Sequence, residues 1–334
     1  MPGSTSSSPP RRTRSRSRCS GAAPTWTLSF AANPVPPSTI AALLRESGQQ
    51  LDAAGSESPR LDAELLLGHV LGVGRATLLA EPESGVSESQ VAMFHGLIAR
   101  RARGVPVAYL RGLKEFYGLA LSVDERALIP RPETEIVVTR VLELIARRLT
   151  GDPRPAGAKP LLVWDVGTGS GAIPVALAVE CRRRGYGDHV TFLATDISSD
   201  AVALATENAV AHAVADAISL SVADLVDIPD PMPADILTAN LPYITTDELP
   251  VLPVAASYEP AVAFDGGRDG LTLVRRMMAE LPNVLGPEGV ALLEIGSDQA
   301  DAAAALAPAG WQVTVHDDLA AWPRVIELTR GSGA

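Results

Sequence analysis

Only two of the 334 residues are cysteine, Cys19 and Cys181. They stand far apart, one in a tail-like stretch and one in a helix-like stretch. A disulfide framework is therefore not expected, and a reducing compartment, the cytoplasm, is. No apolar run reaches the roughly 18–20 residues that a membrane-spanning helix needs, so no membrane association is expected. The five histidines, His69, His95, His189, His212 and His316, show no ligand spacing, and no metal is expected. Basic residues are in the minority, 28 Lys and Arg against 39 Asp and Glu, for a formal net charge of -11. Tight, sequence-blind binding to nucleic acid draws on Lys and Arg contacts to phosphate, so direct nucleic-acid binding is not expected.

What is present falls into four stretches. A chain of this length is expected to hold two domains, and a hydrophobic content of 46% is ample for their cores. Residues 1–37 stand apart as a tail. Ser4 to Arg18 is rich in Ser, Arg and Pro, with Arg11, Arg12, Arg14, Arg16 and Arg18 close together. Such a composition supplies no core and reads as disordered. Its Arg- and Ser-rich, acid-free start is like a transit peptide. It lacks a clear amphipathic helix, and Trp26 to Phe30 is too short for a secretory segment. A dispensable tail or an over-long start is the favoured reading.

Residues 38–108 carry helical periodicity and are expected to form a small bundle of four or five helices. Ser58-Pro59 reads as an N-cap followed by a first-turn proline, with Leu61, Leu65, Leu66 and Val70 as the apolar stripe. Ser87-Glu88-Ser89-Gln90 has capping-box spacing, followed by Val91, Phe94, Leu97 and Ile98. Arg100, Arg101, Arg103, Arg111 and Lys114 form a basic cluster, either a solvated helix end that suits the macrodipole or a docking patch for an acidic or nucleic-acid-bound partner. Residues 109–135 read as a hairpin and linker, with Gly112 and Gly118 inside an alternating run. Residues 136–334 open with a helix, Ile136 to Leu149, and a Pro/Gly-rich loop, Gly151 to Pro160. Helix and strand patterns then alternate, which argues a parallel sheet flanked by helices. The strands expected are Leu161–Val166, Val190–Asp196, Ile218–Ala223, Asp235–Ala239 and Val290–Ile295. Trp311–His316 and Val325–Thr329 follow as a closing antiparallel pair.

The candidate chemistry sits at the carboxyl ends of these strands, where open α/β sheets bind ligands. Asp165-Val166-Gly167-Thr168-Gly169-Ser170-Gly171 lies between the first strand and a helix, Ala172–Arg183. Its glycines let the backbone turn sharply and approach a ligand with no Cβ in the way. The spacing is G-x-G-x-G, not the dinucleotide fingerprint G-x-G-x-x-G. Asp165, just before the loop, suits the charged amino-acid end of S-adenosylmethionine. Asp196 ends the second strand, where a carboxylate can accept hydrogen bonds from both hydroxyls of a ribose. Asp224 and Leu225 follow the third strand and suit the edge and face of adenine. An acid at the end of each of three successive strands points to a nucleoside cofactor, S-adenosylmethionine. Asn240-Leu241-Pro242-Tyr243 follows the fourth strand, where the proline locks an amide and an aromatic ring in place.

Seven such strands describe the class I methyltransferase sheet better than a dinucleotide dehydrogenase fold. From Ser38 onward the sequence resembles the HemK-type protein-glutamine N5-methyltransferases, which modify peptide chain release factors. The most specific parts of the resemblance are Arg60-Leu61-Asp62-Ala63-Glu64-Leu65-Leu66, Glu115-Phe116-Tyr117-Gly118 and Leu128-Ile129-Pro130-Arg131-Pro132-Glu133-Thr134-Glu135. Tyr258-Glu259-Pro260 and Asp265-Gly266-Gly267-Arg268-Asp269-Gly270-Leu271 complete it. The resemblance implies cofactor binding at Gly167 to Gly171, Asp196, Leu225 and Asn240. It implies substrate glutamine at Asn240 to Tyr243, release factors as protein partners gripped by the helical domain, and a monomer. One position departs: the family reads N-P-P-Y, and Leu241 replaces the first proline. N-L-P-Y also occurs in adenine N6-dimethyltransferases, so an amino-methyltransferase acting on nucleic acid is the competing reading. A non-catalytic S-adenosylmethionine-binding scaffold is a third, against which the intact Asn240, Pro242 and Tyr243 argue.

Overall fold

The structure is a computed structural model that describes residues 38–151 and 159–331. The tail expected over residues 1–37 and most of the loop expected from Gly151 to Pro160 lie outside the described residues. Those described belong to one packed unit, Pro37–Ala334. Among them, no helix is long and apolar enough to cross a membrane.

A short pairing of β1 (Ser38–Thr39) with β2 (Gly85–Val86) brackets α1 (Ile40–Ala53), α2 (Pro59–Leu71) and α3 (Arg75–Ala80). Helices α4 (Glu88–Arg101) and α5 (Val107–Arg111) follow. Ser87 caps α4 with both bonds of the capping box. Helix α2 starts at Pro59 as expected, but Ser58 makes no side-chain cap bond. Its hydroxyl donates instead to Asp62 Oδ1 at 2.9 Å.

The buried face of α2 also differs from the expected stripe. Leu61 is exposed, while Asp62, Ala63, Glu64, Leu66 and Leu67 are buried. The reason is electrostatic. Asp62 accepts from Arg101 Nε at 2.7 Å, and Glu64 accepts from Arg60 at 2.9 Å and Arg75 at 2.6 Å. Buried carboxylates are tolerated when paired and hydrogen-bonded, so acids occupy places that a polar/apolar count assigns to solvent. The same bond takes Arg101 out of the expected basic cluster and turns it inward. Leu43, Leu51, Leu66, Leu67, Phe94 and Ile98 form the core of these helices.

Strands β3 (Leu113–Phe116) and β4 (Leu119–Ser122) form the expected hairpin. Tyr117 and Gly118 turn it with φ of 50° and 73°. Two positive φ values match the twist of the flanking strands, and the Tyr117 N–H donates to Glu135 Oε1 at 2.9 Å. The 3₁₀ turn Pro132–Thr134 then leads into α6 (Glu135–Thr150).

The remaining elements are β5 (Leu161–Val166), α7 (Ala172–Arg183), β6 (Val190–Asp196), α8 (Ser199–Ala211), β7 (Ile218–Val222), β8 (Ala234–Ala239), α9 (Thr272–Val284), β9 (Leu285–Glu294), α10 (Ala300–Ala304), β10 (Trp311–Asp317) and β11 (Pro323–Arg330). They build one seven-stranded sheet in the order β10-β11-β9-β8-β5-β6-β7. Strands β5 to β9 run parallel, and β11 pairs antiparallel with both β9 and β10. Strand β9 begins at Leu285 rather than Val290, because a register shift opposite Ala234 and Ile236 accommodates the extra turn-rich residues. Successive side chains alternate between the two faces of a strand. Ile236 accordingly packs with Val141, Ile145, Val175 and Leu292, and Leu237 with Trp164, Met277, Leu281 and Leu293. From β5 the chain winds outward to β6 and β7, then crosses to β8 and β9. The switch point lies between β5 and β8.

Candidate active site

Strands β5, β6 and β8 end side by side, with Val166 paired to both Thr195 and Ala239. The glycine loop leaves β5 with φ of +72°, +55° and +77° at Gly167, Gly169 and Gly171. A Cβ at Gly167 would stand 3.1 Å from Leu241 Cδ2, and one at Gly171 3.0 Å from Ala205 Cβ. Both positions therefore favour glycine for their conformation, and a Cβ at either would be tightly packed. The N–H groups of Gly167 and Thr168 donate to Thr195 O at 2.8 and 2.9 Å. Asn208 holds the far side of the loop. Its Nδ2 donates to Ser170 O at 2.9 Å and Ser122 O at 3.0 Å, and its Oδ1 accepts the Ser122 N–H at 2.8 Å.

Asp196 ends β6 with both oxygens engaged: Oδ2 accepts the Gly169 N–H at 2.8 Å and Oδ1 the Ser198 N–H at 2.9 Å. Burial raises its pKa above the ordinary carboxylate value, against the pull of these donors. Each oxygen keeps acceptor capacity, since a carboxylate has about four lone-pair sites. Asp224 lies beyond β7 and pairs with Arg276 at 2.9 Å. Leu225 has φ of +56°, uncommon for a residue with a Cβ. Its carbonyl accepts the Thr195 hydroxyl at 2.9 Å, and Thr195 in turn accepts Trp164 Nε1 at 3.1 Å.

These groups face one cavity of about 220 Å³. Its wall includes Gly167, Thr168, Gly169, Ser170, Asp196, Asp224, Leu225, Asn240, Leu241 and Pro242. Three of the residues expected at the site are not on that wall. Gly171 opens α7 as its N-cap. Asp165 is buried beneath the loop, where Oδ1 accepts the Thr238 hydroxyl at 2.7 Å and burial pushes its carboxyl up to about 7. Tyr243 is half-buried and lies near Glu294, Arg324, Arg131 and Glu133. Gln299 Nε2 donates to its carbonyl at 2.9 Å.

Asn240 leaves β8 with its amide oriented. Nδ2 donates to Thr134 Oγ1 at 3.1 Å, and no described residue donates to Oδ1. Leu241 is buried with Trp164, Val166, Ala239 and Leu271. A leucine at this position thus anchors the turn by packing.

The structure also brings in residues to which the sequence reading gave no role. Ala127, Leu128, Pro130, Arg131 and Thr134 line the cavity from the linker side. Glu259 holds them there, accepting from the Ile129 N–H at 2.9 Å and from Arg131 Nη2 at 2.7 Å. Both segments carried specific motifs, which was the available signal. Their meeting across the fold was not visible in either alone.

The residues present fit S-adenosylmethionine. Thr168 Oγ1 is buried beside Asp165, and the glycine loop lines the cavity. A carboxylate with spare acceptors, Asp196, follows at the next strand, and the apolar side chains of Leu225, Ile173 and Leu273 complete the wall. Fold and site together define a class I S-adenosylmethionine-dependent methyltransferase. Residues 42–112 match the model of the PrmC N-terminal domain. The chain is 40% identical to the release factor glutamine methyltransferase of Moorella thermoacetica over 81% of this chain and 90% of that one. It is 35% identical to that of Rhodopirellula baltica over 88% and 97%. A solved structure of the release factor-specific protein-(glutamine-N5) methyltransferase of Alicyclobacillus acidocaldarius is 29% identical, covering 63% of this chain and 99% of that one, with a TM-score of 0.36. The chain belongs to the release factor glutamine methyltransferase family.

Proposed function

We propose that the protein methylates the side-chain nitrogen, N5, of a glutamine in peptide chain release factors and so supports translation termination. One observation carries the site assignment: the Asn240 amide is turned with Nδ2 toward Thr134, which leaves Oδ1 as an acceptor at the cavity wall. An amide nitrogen is a poor nucleophile because its lone pair is delocalised into the carbonyl. Asn240 Oδ1 and the Leu241 carbonyl each accept one N–H of the substrate amide. They orient its nitrogen and stabilise the positive charge that develops on it. Positioning of this kind supplies roughly 7–11 kcal/mol in favourable cases. Pro242 keeps the turn rigid, and the Tyr243 ring borders the approach of the flat amide. The released proton leaves to solvent.

S-adenosylmethionine, when bound, supplies an electrophilic methyl group on a positively charged sulfur. Gly167, Thr168, Gly169, Ser170 and Gly171 form the turn that receives its amino-acid end, and Asp165 supports that turn from below. Asp196 accepts from its ribose hydroxyls. Asp224 and Leu225 border its adenine, and Asn240 lies against the reacting end. Residues 38–108 form the domain that recognises the release factor, 109–135 the connecting hairpin and linker, and 136–334 the methyltransferase domain, preceded by the tail 1–37. The protein acts as a monomer in the cytoplasm and needs no direct contact with nucleic acid.

The test is transfer of labelled methyl from S-adenosylmethionine. A release factor should accept label. The same factor with its target glutamine replaced, RNA and DNA should not. Labelling of nucleic acid in preference to release factor would overturn the reading.

A further inference from the structure

Glu294 ends β9 beside the point where Asn240 leaves β8. It is 1% exposed, and its Oε2 has no hydrogen-bond partner among the described residues. Its neighbours along the chain, Leu292, Leu293 and Ile295, are buried and apolar. A carboxylate in such a place is costly unless it is paired or hydrogen-bonded. The groups facing it are the Thr134 hydroxyl from the turn before α6 and the Asn240 amide from the end of β8. Arg324 of β11, Glu133 and the Tyr243 phenol are its charged and titratable neighbours. Arg324 is committed to Asp318, at 3.1 Å. Thr134 is 4% exposed and already accepts from Asn240 Nδ2, so its own proton is left to donate.

The two ends of an asparagine amide have nearly the same shape but opposite hydrogen-bonding character. Only the partners around it select which end points where. We propose that Glu294 is a positioning residue: with Thr134 it places two acceptors behind the Asn240 amide, which holds Nδ2 inward and turns Oδ1 toward the substrate. A flipped amide would bring Oδ1 against the carboxylate and present donors to a substrate that also donates. The inference rests on the proposed reaction and assigns the group that keeps its acceptor in register. It also gives the site a pH dependence. Burial pushes the Glu294 carboxyl up to about 7. Below that the protonated acid can accept from Nδ2 or donate to Oδ1, and the selection is lost.

Two readouts test the assignment in the full-length protein. The first is the Asn240 side-chain amide signal in the ¹⁵N-labelled chain, identified by its loss in Asn240→Asp. In Glu294→Gln and Thr134→Val this signal should shift and exchange faster with solvent. The second is steady-state methylation of release factor. The kcat should fall about 10–100-fold in both variants, the range expected when a reacting group is misplaced. The KM for S-adenosylmethionine should stay within about two-fold, since uniform binding is untouched. Thr134→Ser should recover most of the rate lost in Thr134→Val, and the double variant should be no slower than the slower single one. The rise of kcat through pH of about 7 should flatten in Glu294→Gln. An unmoved Asn240 signal in Glu294→Gln overturns the proposal. So does a parallel loss of kcat, cofactor affinity and thermal stability, which marks a purely structural carboxylate. If the wild type transfers no methyl to release factor, the proposed function fails, while the amide signal still decides the role of Glu294.

Discussion

The Gly169 N–H donates to Asp196 Oδ2 at 2.8 Å. The acid assigned to the ribose is therefore also the strut of the loop assigned to the amino-acid end of the same ligand. Asp196→Ala should weaken S-adenosylmethionine binding through both. Hydrogen bonds to a charged acceptor contribute about 1.5–3 kcal/mol each, or about 10- to 150-fold in Kd. Isothermal titration with S-adenosylmethionine measures this, and an unchanged Kd would remove Asp196 from the cofactor site.

Asn240→Ala should separate binding from turnover. The amide oxygen is assigned to the substrate nitrogen, so kcat should fall by at least about 100-fold. The Kd for S-adenosylmethionine should change little by comparison. A variant that keeps the wild-type kcat would exclude Asn240 from the reaction.

Gly266 supports the turn from behind. A Cβ there would stand 2.7 Å from Gly270 O, 2.8 Å from Pro242 O and 2.8 Å from Tyr243 Cα. All three are backbone atoms and cannot swing aside. Gly266→Ala should cost about 1–3 kcal/mol of stability and displace Pro242 and Tyr243. Chemical denaturation reads the first effect. A raised KM for release factor with an unchanged cofactor Kd reads the second, and a variant as stable and active as the wild type would refute both.

Asp165 carries a pH signature of its own. Its carboxyl is pushed up to about 7 from 3.8 by burial. Between those values the folded chain holds a proton that the unfolded chain has released. Its contribution to stability is therefore full below about 4 and is lost as pH rises through about 7. Asp165→Asn cannot ionise and should gain stability relative to the wild type on going from pH 5 to pH 8. Thermal melts of both proteins at the two pH values give the comparison. A constant difference would mean that Asp165 is ionised throughout.

The sheet was readable from the sequence because each of its strands is a short apolar run with a polar stop. Of the fourteen ends of the seven strands, thirteen lie within two residues of the expected position, and the exception is the start of β9, at Leu285 instead of Val290. The α2 stripe was misread for the opposite reason. Asp62 and Glu64 count as polar in any periodicity, and only Arg101 and Arg75, distant in the chain, make them internal. Tyr243 is expected at the cavity with the rest of its motif, and it is not among the residues that line it. Thr134 and Glu259 had motifs and no visible role. The bond from Asn240 to Thr134 spans 106 positions of the chain, and that from Ile129 to Glu259 spans 130. No local pattern encodes such a meeting.

Asn208 leaves little freedom to evolve. Its one side chain serves two carbonyls and one N–H, on a hairpin strand and on the glycine loop. Aspartate would set a negative charge against the two carbonyls, and leucine would take the partner from both carbonyls and the N–H, of which the Ser170 carbonyl is buried. The hairpin that continues from the helices and the turn that receives the cofactor are riveted together at one point. A change at position 208 would therefore disturb the hairpin and the glycine loop together.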